Sequence, residues 1–225
     1  MTNNNDQHHK EIFQLERIAL FSDAVFAIAI TLLIIEVKIP VLPYSSAEFS
    51  KEFPHAMNEM IPEFIGFLIS FMVIGNYWRS HHSTFYFIKD YDNKLLRLNT
   101  FFLLTIVIMP FTTAFMSRYM FFQPFFIYCL NVIASGLLQI RMWRYVTGDK
   151  NTLHTPLPRG IKSYKTTTSI IAIGCFCIAI IIHKLPIFPG NLGGFIARMF
   201  LASIFIIDIF THRYYRKKYN LGNKY

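Results

Sequence analysis

The sequence contains few charged residues. Of its 225 residues, only 16% are Asp, Glu, Lys or Arg, whereas 53% are hydrophobic and the mean hydropathy is +0.37. Soluble domains usually carry about 25% charged residues, so this composition argues against a soluble enzyme and against a disordered chain. The composition therefore predicts a single polytopic membrane domain.

Cysteine and the common catalytic motifs are also scarce or missing. The three cysteines, Cys129, Cys175 and Cys177, lie in apolar stretches without CxxC or CxxH spacing. We therefore expect buried thiols rather than a disulfide or a zinc site. The sequence has no Walker A, GxGxxG, HExxH or GxSxG pattern, and no TVGYG filter loop. The missing catalytic motifs argue against an enzyme, and the missing filter loop argues against a channel with a filter of backbone carbonyls. We also expect no cofactor.

Long apolar runs are what the sequence has in abundance. A bilayer span needs about 20 mostly apolar residues, and six segments meet this requirement. They run approximately over Leu20–Ile39, Ile61–Trp78, Leu98–Phe115, Phe122–Trp143, Thr167–His183 and Leu192–Phe210. The sequence therefore predicts an all-α membrane protein with six transmembrane helices per subunit.

The basic residues predict the orientation of these spans. Most of the 22 lysine and arginine residues lie in the N-terminal segment, in the connections after spans two and four, and in the tail. Because cytoplasmic loops carry the excess of Lys and Arg, we expect both termini to be cytoplasmic. This arrangement divides the chain into a cytoplasmic segment 1–19, a six-helix transmembrane domain 20–210 and a basic cytoplasmic tail 211–225. It also explains the net charge of +9 without a nucleic-acid partner.

One face of the first span carries a stripe of residues at helical spacing. At about 100° per residue, Ile28, Thr31 and Ile35 fall on the same side of the helix, together with Phe21 and Arg17. Periodicity alone leaves two interpretations of this stripe open. It is either a surface for helix packing or a pore wall in which apolar rings flank a hydroxyl ring.

The start of this span resembles a known family. Arg17-x-x-x-Phe21-Ser22-Asp23, followed by Ala-Val-Phe-Ala-Ile-Ala-Ile-Thr, is similar to the signature of the transmembrane protein 175 family of potassium channels. The resemblance extends to Trp78, His81-His82, Asn99 and Pro110-Phe111. Because the chain has the spans of one repeat, it resembles the prokaryotic, single-repeat members.

The resemblance implies a homotetramer in a lipid bilayer, with the first helix of each subunit lining a central pore. Ile28 would form the apolar constriction, Thr31 the hydroxyl ring linked to potassium preference, and Ile35 a further apolar ring. The expected function is a potassium-preferring channel that conducts monovalent cations passively, with K⁺ passing Ile28 and Thr31. The expected location is the plasma (inner) membrane of a prokaryote.

The other motif residues receive structural roles from the resemblance. Ser22 and Asp23 would face neighbouring helices and join a polar network with Trp78, one of the two histidines, and Asn99. Adjacent helical positions point in different directions, so only one histidine is expected to join, and we favour His81. Arg17 and Phe21 complete the motif, but Arg17 lies on the stripe without an assigned partner.

Two alternatives from other functional classes remain open. The chain could be a secondary transporter or a proton-conducting pathway that uses Asp23 and His81. It could also be a membrane enzyme or scaffold built around His81, His82 and Asp23, although the sequence shows no recognisable pair of nucleophile and base. Flux that is coupled to a proton gradient would favour the first alternative, and the absence of ion flux would favour the second.

Overall fold

The computed structural model describes residues 3–148, 153–185 and 192–219, with side chains except those of 3–12 and 205–206. Six long helices follow one another along this described part of the chain. They are α1 (Asn3–Ile35), α2 (Ser46–Phe85), α3 (Asn93–Arg118), α4 (Phe122–Val146), α5 (Ile161–Lys184) and α6 (Leu192–Tyr219). All six are long and apolar enough to cross a membrane. The prediction of an all-α protein with six apolar helices is therefore confirmed.

Several helices are longer than the apolar runs that predicted them. The helix α1 already begins at Asn3, within the segment expected to precede the membrane, and it ends at Ile35 rather than Ile39. The helix α2 has 40 residues and includes Pro54 and Pro62. At 1.5 Å per residue it extends about 60 Å, roughly twice the thickness of a bilayer core. Hydropathy detects only the apolar part of a helix, so it underestimates the length of a helix that has polar ends.

The helices form a bundle in which α3 and α4 are central. The helix α3 packs against α1, α2 and α4, whereas α5 packs between α4 and α6. The main neighbours of α1 are α2 and α3, and the main neighbour of α6 is α5. The first helix therefore lies at one edge of the subunit, with α6 at the opposite edge.

Apolar packing and short polar bridges hold the middle of the bundle together. The Thr113 hydroxyl donates to Ser70 Oγ over 2.8 Å, and Ser70 in turn donates to the Tyr128 hydroxyl over 3.1 Å. This chain of hydroxyls links α3, α2 and α4 through side chains that are all buried. At Gly66, a Cβ atom would lie only 1.8 Å from Ser117 Oγ. The glycine therefore lets α2 approach α3 closely.

Two connections meet at one end of the bundle. The segments after α2 and after α4 pair through an isolated antiparallel bridge between Ile88 and His154. The Lys89 amide donates to the Leu153 carbonyl over 2.9 Å. Nearby, Asp92 caps α3 by accepting from the Leu95 amide over 2.7 Å. The basic connections expected on one side of the membrane therefore lie together in space.

Candidate functional site

The first helix has one buried face and one exposed face. Ser22, Phe26, Ala29 and Leu33 recur at helical spacing, and each is at most 2% exposed. Phe26, Ala29 and Leu33 belong to the main apolar core, which also contains residues of α2 and α3. The buried face of α1 is thus fixed by packing within the subunit, and its opposite face is left uncovered.

The stripe noted in the sequence lies on the uncovered face. Ile28 and Ile35 are 60% and 63% exposed, and Phe21 is 63% exposed. Thr31 is exposed between the two isoleucines. With a rise of 1.5 Å per residue, Ile28 and Ile35 are separated by about 10 Å along the helix axis. The structure therefore places Ile28, Thr31 and Ile35 on one accessible surface in the membrane-spanning part of α1.

The hydroxyl of Thr31 is held by its own helix. Its Oγ1 donates to the carbonyl oxygens of Ala27 and Ile28, at 3.0 and 2.9 Å. A hydroxyl has one hydrogen but two acceptor lone pairs. Because its hydrogen is used by the helix backbone, the oxygen presents lone pairs to the exposed side. This geometry suits an oxygen ligand for a cation rather than a hydrogen-bond donor.

Behind the stripe, a buried polar chain links three helices. His81 Nε2 and Asn99 Oδ1 lie 2.8 Å apart, and Asn99 Nδ2 donates to Ser22 Oγ over 3.0 Å. Ser22 itself donates to the Ile18 carbonyl over 2.9 Å. Ser22, Asn99 and His81 are all at most 3% exposed. We call these three residues the Ser–Asn–His chain, and it ties α1 to α3 and α2.

Aromatic rings surround the histidine of this chain. The His81 ring stacks on Phe85 at 4.5 Å and on Phe102 at 5.5 Å between ring centroids. Phe26 of α1 lies 5.6 Å away. His82 is exposed instead, and its ring lies 5.8 Å from that of Trp78. Of the two adjacent histidines, His81 is therefore the one that bonds to Asn99.

Asp23 forms a separate contact. The indole Nε1 of Trp78 donates to Asp23 Oδ1 over 2.9 Å, in a partly exposed position. The expected polar network is therefore divided into two parts, Asp23–Trp78 and the Ser–Asn–His chain. Ser22 and Asp23 are neighbours on a helix and point about 100° apart, so they reach different partners. Both contacts attach the central part of α1 to α2 or α3.

Arg17 lies on the stripe, one turn before Phe21. Its guanidinium carbon is 6.0 Å from the centroid of the Phe13 ring, which is on the same helix. Arg17 and Phe21 are both exposed. The structure therefore keeps Arg17 on the face that carries Ile28 and Thr31, apart from the two polar contacts described above.

Two buried basic residues had no role in the sequence prediction. Arg198 of α6 is 6% exposed and donates to the carbonyls of Gly194 and Met116, with its guanidinium over the Phe125 ring at 5.1 Å. Lys165 was expected outside the fifth span, but it lies inside α5 and is only 7% exposed. Periodicity could not have identified either residue, because each has partners on other helices.

Comparison with known proteins extends this description. The family model described as endosomal/lysosomal potassium channel TMEM175 matches residues 17–110, the region that holds both polar contacts and the stripe. A protein of Chamaesiphon minutus named a potassium channel is 32% identical over 60% of this chain and 67% of its own length. The chain belongs to the TMEM175 family.

Other members of the TMEM175 family differ in the ion that their names give. A protein of Streptomyces collinus named a potassium channel is 32% identical over 58% of this chain and 64% of its own length. A zebrafish (Danio rerio) relative named endosomal/lysosomal proton channel TMEM175 is 27% identical over 80% of this chain and 38% of its own length. The chain spans about three fifths of the length of the first bacterial relatives that it matches.

A solved structure shows that the fold is shared. The crystal structure of a lysosomal potassium-selective channel TMEM175 homolog from Chamaesiphon minutus superposes with a TM-score of 0.68 at 23% sequence identity. The match covers 90% of this chain and 98% of the solved one. The six-helix arrangement described above is therefore the fold of that TMEM175 homolog.

Proposed function

We propose that this TMEM175-family chain is one subunit of a potassium-preferring cation channel whose pore is lined by α1. The observation that carries the proposal is the uncovered face of α1. This face presents Ile28, Thr31 and Ile35 in the C-terminal half of the membrane-spanning part of α1. The names of the bacterial relatives support the same activity.

The subunit needs copies of itself to form such a pore. A single α1 at the edge of one bundle cannot enclose a water path. We propose a homotetramer in the lipid bilayer, with four copies of α1 around the axis and α2–α6 outside them. The position of α1 at the edge of the subunit supports this arrangement, since its exposed face is free to meet the equivalent helices of other subunits. A closed cyclic assembly would cover that face in every subunit equally.

The proposed rings suggest how conduction is controlled. Narrow rings of Ile28 and Ile35 would exclude water and resist ions until they widen or rotate away from the axis. Thr31 lies between them, and its lone pairs could replace part of the water shell of K⁺. Hydroxyl groups coordinate an ion less completely than a cage of carbonyls, so we expect modest potassium selectivity. Conduction through these rings is passive and includes no catalytic step or cofactor.

The two polar contacts have a positioning role in this proposal. The Ser–Asn–His chain and the Asp23–Trp78 hydrogen bond both hold α1 against the scaffold. Each fixes the rotation of α1 about its own axis, because Ser22 and Asp23 reach different partners. A rotation of one residue position, about 100°, would remove Ile28 and Thr31 from the pore axis.

The placement of the basic residues supports the orientation. The Ile88–His154 bridge and the basic C-terminal end of α6 belong to the end of the bundle where the α2–α3 and α4–α5 connections meet. We propose that this end is cytoplasmic, that both termini lie there, and that the membrane is the plasma (inner) membrane of a prokaryote.

Variants of Thr31 and Ile28 test the pore in purified liposomes. Thr31→Val keeps the shape of the side chain but removes the hydroxyl, so it should lower the ratio of potassium to sodium permeability. Thr31→Ser keeps the hydroxyl and should retain most of the preference. Ile28→Asn makes the constriction polar and should increase the leak current. Unchanged permeability ratios and unchanged leak in these variants would show that α1 does not line the pore.

Thr100 offers a matched control. It is an exposed threonine on α3, and its hydroxyl bonds to the Leu96 carbonyl over 2.9 Å, much as that of Thr31 bonds to its own helix. Thr100→Val should therefore leave currents unchanged. An effect of equal size in Thr100→Val and Thr31→Val would show that the change comes from general helix perturbation rather than from the pore.

Proton conduction is the second candidate, and the name of the zebrafish relative favours it. In this alternative, Asp23 or His81 would carry protons, either alone or coupled to another solute. Asp23→Asn would then abolish pH-dependent flux while the Thr31 variants left it intact. Potassium flux that persists in Asp23→Asn without a proton gradient would favour the channel.

A further inference from the structure

A cavity lies between α2 and the last three helices of the bundle. It has a volume of about 340 Å³ and is lined by residues of α2, α4, α5 and α6. This volume is within the range of pockets that hold small ligands. None of the motif residues of α1 lines it. Any ligand that binds in the cavity would therefore not contact the residues proposed to line the pore.

The wall of the cavity changes character along the helices. Toward the middle of the membrane-spanning helices it is apolar, with Val73, Phe176 and Ile204. Toward the end of the bundle that carries the basic connections it is polar, and it is lined there by Arg79, Lys165, Asp208, Arg213 and Arg216. The same space thus offers an apolar surface in the membrane and a basic surface at its edge.

The basic side chains outnumber the acids at this site. Asp208 forms an ion pair with Arg79 at 2.5 Å, so its negative charge is already compensated. Within the described part of the chain, no carboxylate lies within ion-pair distance of Lys165, Arg213 or Arg216. The cavity therefore retains a positive charge that its own described residues leave uncompensated.

Lys165 is the most buried of these cations. It is 7% exposed, and its Nζ donates to Thr84 Oγ1 over 3.0 Å and lies 3.4 Å from the Ser80 carbonyl oxygen. Its Nζ also lies 4.6 Å from the centroid of the Trp143 ring. These partners are all neutral. Burying an ammonium group is costly unless an anion compensates its charge, so an anion near Lys165 would stabilise the protonated amine.

We propose that this cavity binds an anionic phospholipid, with the phosphate headgroup at Lys165, Arg213 and Arg216. An acyl chain would lie against the apolar wall near Val73 and Phe176. A phosphate group supplies the charge and the acceptor oxygens that the basic side chains lack. The apolar wall distinguishes a lipid from free phosphate, because a soluble anion would gain nothing from it. The inference does not rest on the channel function, since lipid binding needs no ion flux.

Lipid binding to the purified chain in neutral detergent tests the proposal. The probes are a short-chain phosphatidylglycerol, the phosphatidylcholine with the same acyl chains, and inorganic phosphate. Each is titrated while the melting temperature is recorded, because a ligand that binds the folded state raises it with concentration. Phosphatidylglycerol should bind about tenfold more tightly than phosphatidylcholine, because both lipids carry a phosphate but the choline cation cancels the net negative charge and is repelled by the basic side chains.

Substitution of Lys165 gives two linked predictions. Lys165→Met replaces the buried amine with an apolar side chain of similar length, so the lipid-free protein should melt at a higher temperature. The same variant should lose about tenfold in affinity for phosphatidylglycerol. Lys89→Met is the matched control, because Lys89 is an exposed lysine at the same end of the bundle and does not line the cavity. It should bind lipid like the unaltered chain.

Several results would overturn the proposal. Equal affinity for the two lipids, or unchanged phosphatidylglycerol affinity in Lys165→Met, would show that the cavity does not recognise the headgroup. Inorganic phosphate that binds as tightly as phosphatidylglycerol would assign the site to a soluble anion and refute the lipid. If Lys165→Met does not yield a folded protein, the exposed pair Arg213→Met and Arg216→Met replaces it. Undiminished phosphatidylglycerol affinity in that double variant would equally refute the site.

Discussion

Replacing Asn99 is the strongest test of how α1 is held in place. Asn99 is 3% exposed and is the central member of the Ser–Asn–His chain, between His81 of α2 and Ser22 of α1. Asn99→Leu keeps a side chain of similar size but removes both hydrogen bonds. We therefore expect the scaffold to remain folded while the attachment of α1 is weakened.

The expected magnitude follows from what each partner loses. His81 is 1% exposed, and without Asn99 its Nε2 would be left unsatisfied, which costs about 1–3 kcal/mol. Ser22 still donates to the Ile18 carbonyl, so it loses only the bond that it accepted, worth about 1 kcal/mol. Asn99→Leu should therefore reduce the free energy of unfolding by about 2–4 kcal/mol.

A compensating variant separates this cause from a general packing defect. The His81 ring already lies among Phe26, Phe85 and Phe102. His81→Phe, combined with Asn99→Leu and Ser22→Ala, removes every polar member of the chain together. Because removal of all partners by apolar groups can be nearly neutral, the triple variant should recover most of the stability that Asn99→Leu loses.

The assay is unfolding in a mixed detergent, with flux through liposomes as a second readout. Asn99→Leu should lower stability and change the current, because the rotation of α1 is less well fixed. Thr100→Ala, one position further on the exposed face of α3, should have little effect on either. This role of Asn99 is refuted if Asn99→Leu is as stable as the unaltered chain, or if the triple variant is no more stable than the single one.

Two further predictions concern the scaffold. Gly66→Ala should destabilise the protein by about 1–3 kcal/mol in the same unfolding assay, because the new Cβ would lie 1.8 Å from Ser117 Oγ. Gly75→Ala is the control: its Cβ would meet nothing within 4 Å, so this variant should be neutral or slightly stabilising. Asp92→Ala removes the cap of α3 and should cost about 1 kcal/mol. Desolvation raises the pKa of Asp92, but hydrogen bonds from Tyr145 and from backbone amides outweigh it and lower the pKa below 3.8. The contribution of Asp92 to the stability of the fold should therefore be present above about pH 4 and be lost as the pH falls further. If Asp92→Ala loses as much stability on acidification as the unaltered chain does, this role of Asp92 is contradicted.

The sequence was sufficient to predict the six-helix architecture, because each membrane span is a long apolar run in the sequence. It was less informative about helix ends. The helix α2 continues through Pro54 and Pro62 to Ser46, where the residues are too polar to be recognised as part of a span. Likewise, α1 continues back to Asn3 through a segment that hydropathy would assign to water.

The site was predictable only as far as one helix determines it. The spacing of Ile28, Thr31 and Ile35 placed them on one face of α1 without reference to any other segment. The sequence did not show that the expected polar network divides into two contacts, because this division depends on where α2 and α3 place Trp78 and Asn99. The burial of Lys165 also escaped prediction, since its partners Ser80 and Thr84 belong to α2.

The most direct test of the proposed function is the reversal potential of the purified chain in liposomes under a potassium gradient and then a sodium gradient. We expect a current that does not saturate and that reverses near the potassium equilibrium potential, without any proton gradient. A smaller shift under the sodium gradient should follow from the modest selectivity of a hydroxyl ring. Flux that appears only with a proton gradient, or no flux at all from a well-folded protein, would contradict the potassium channel.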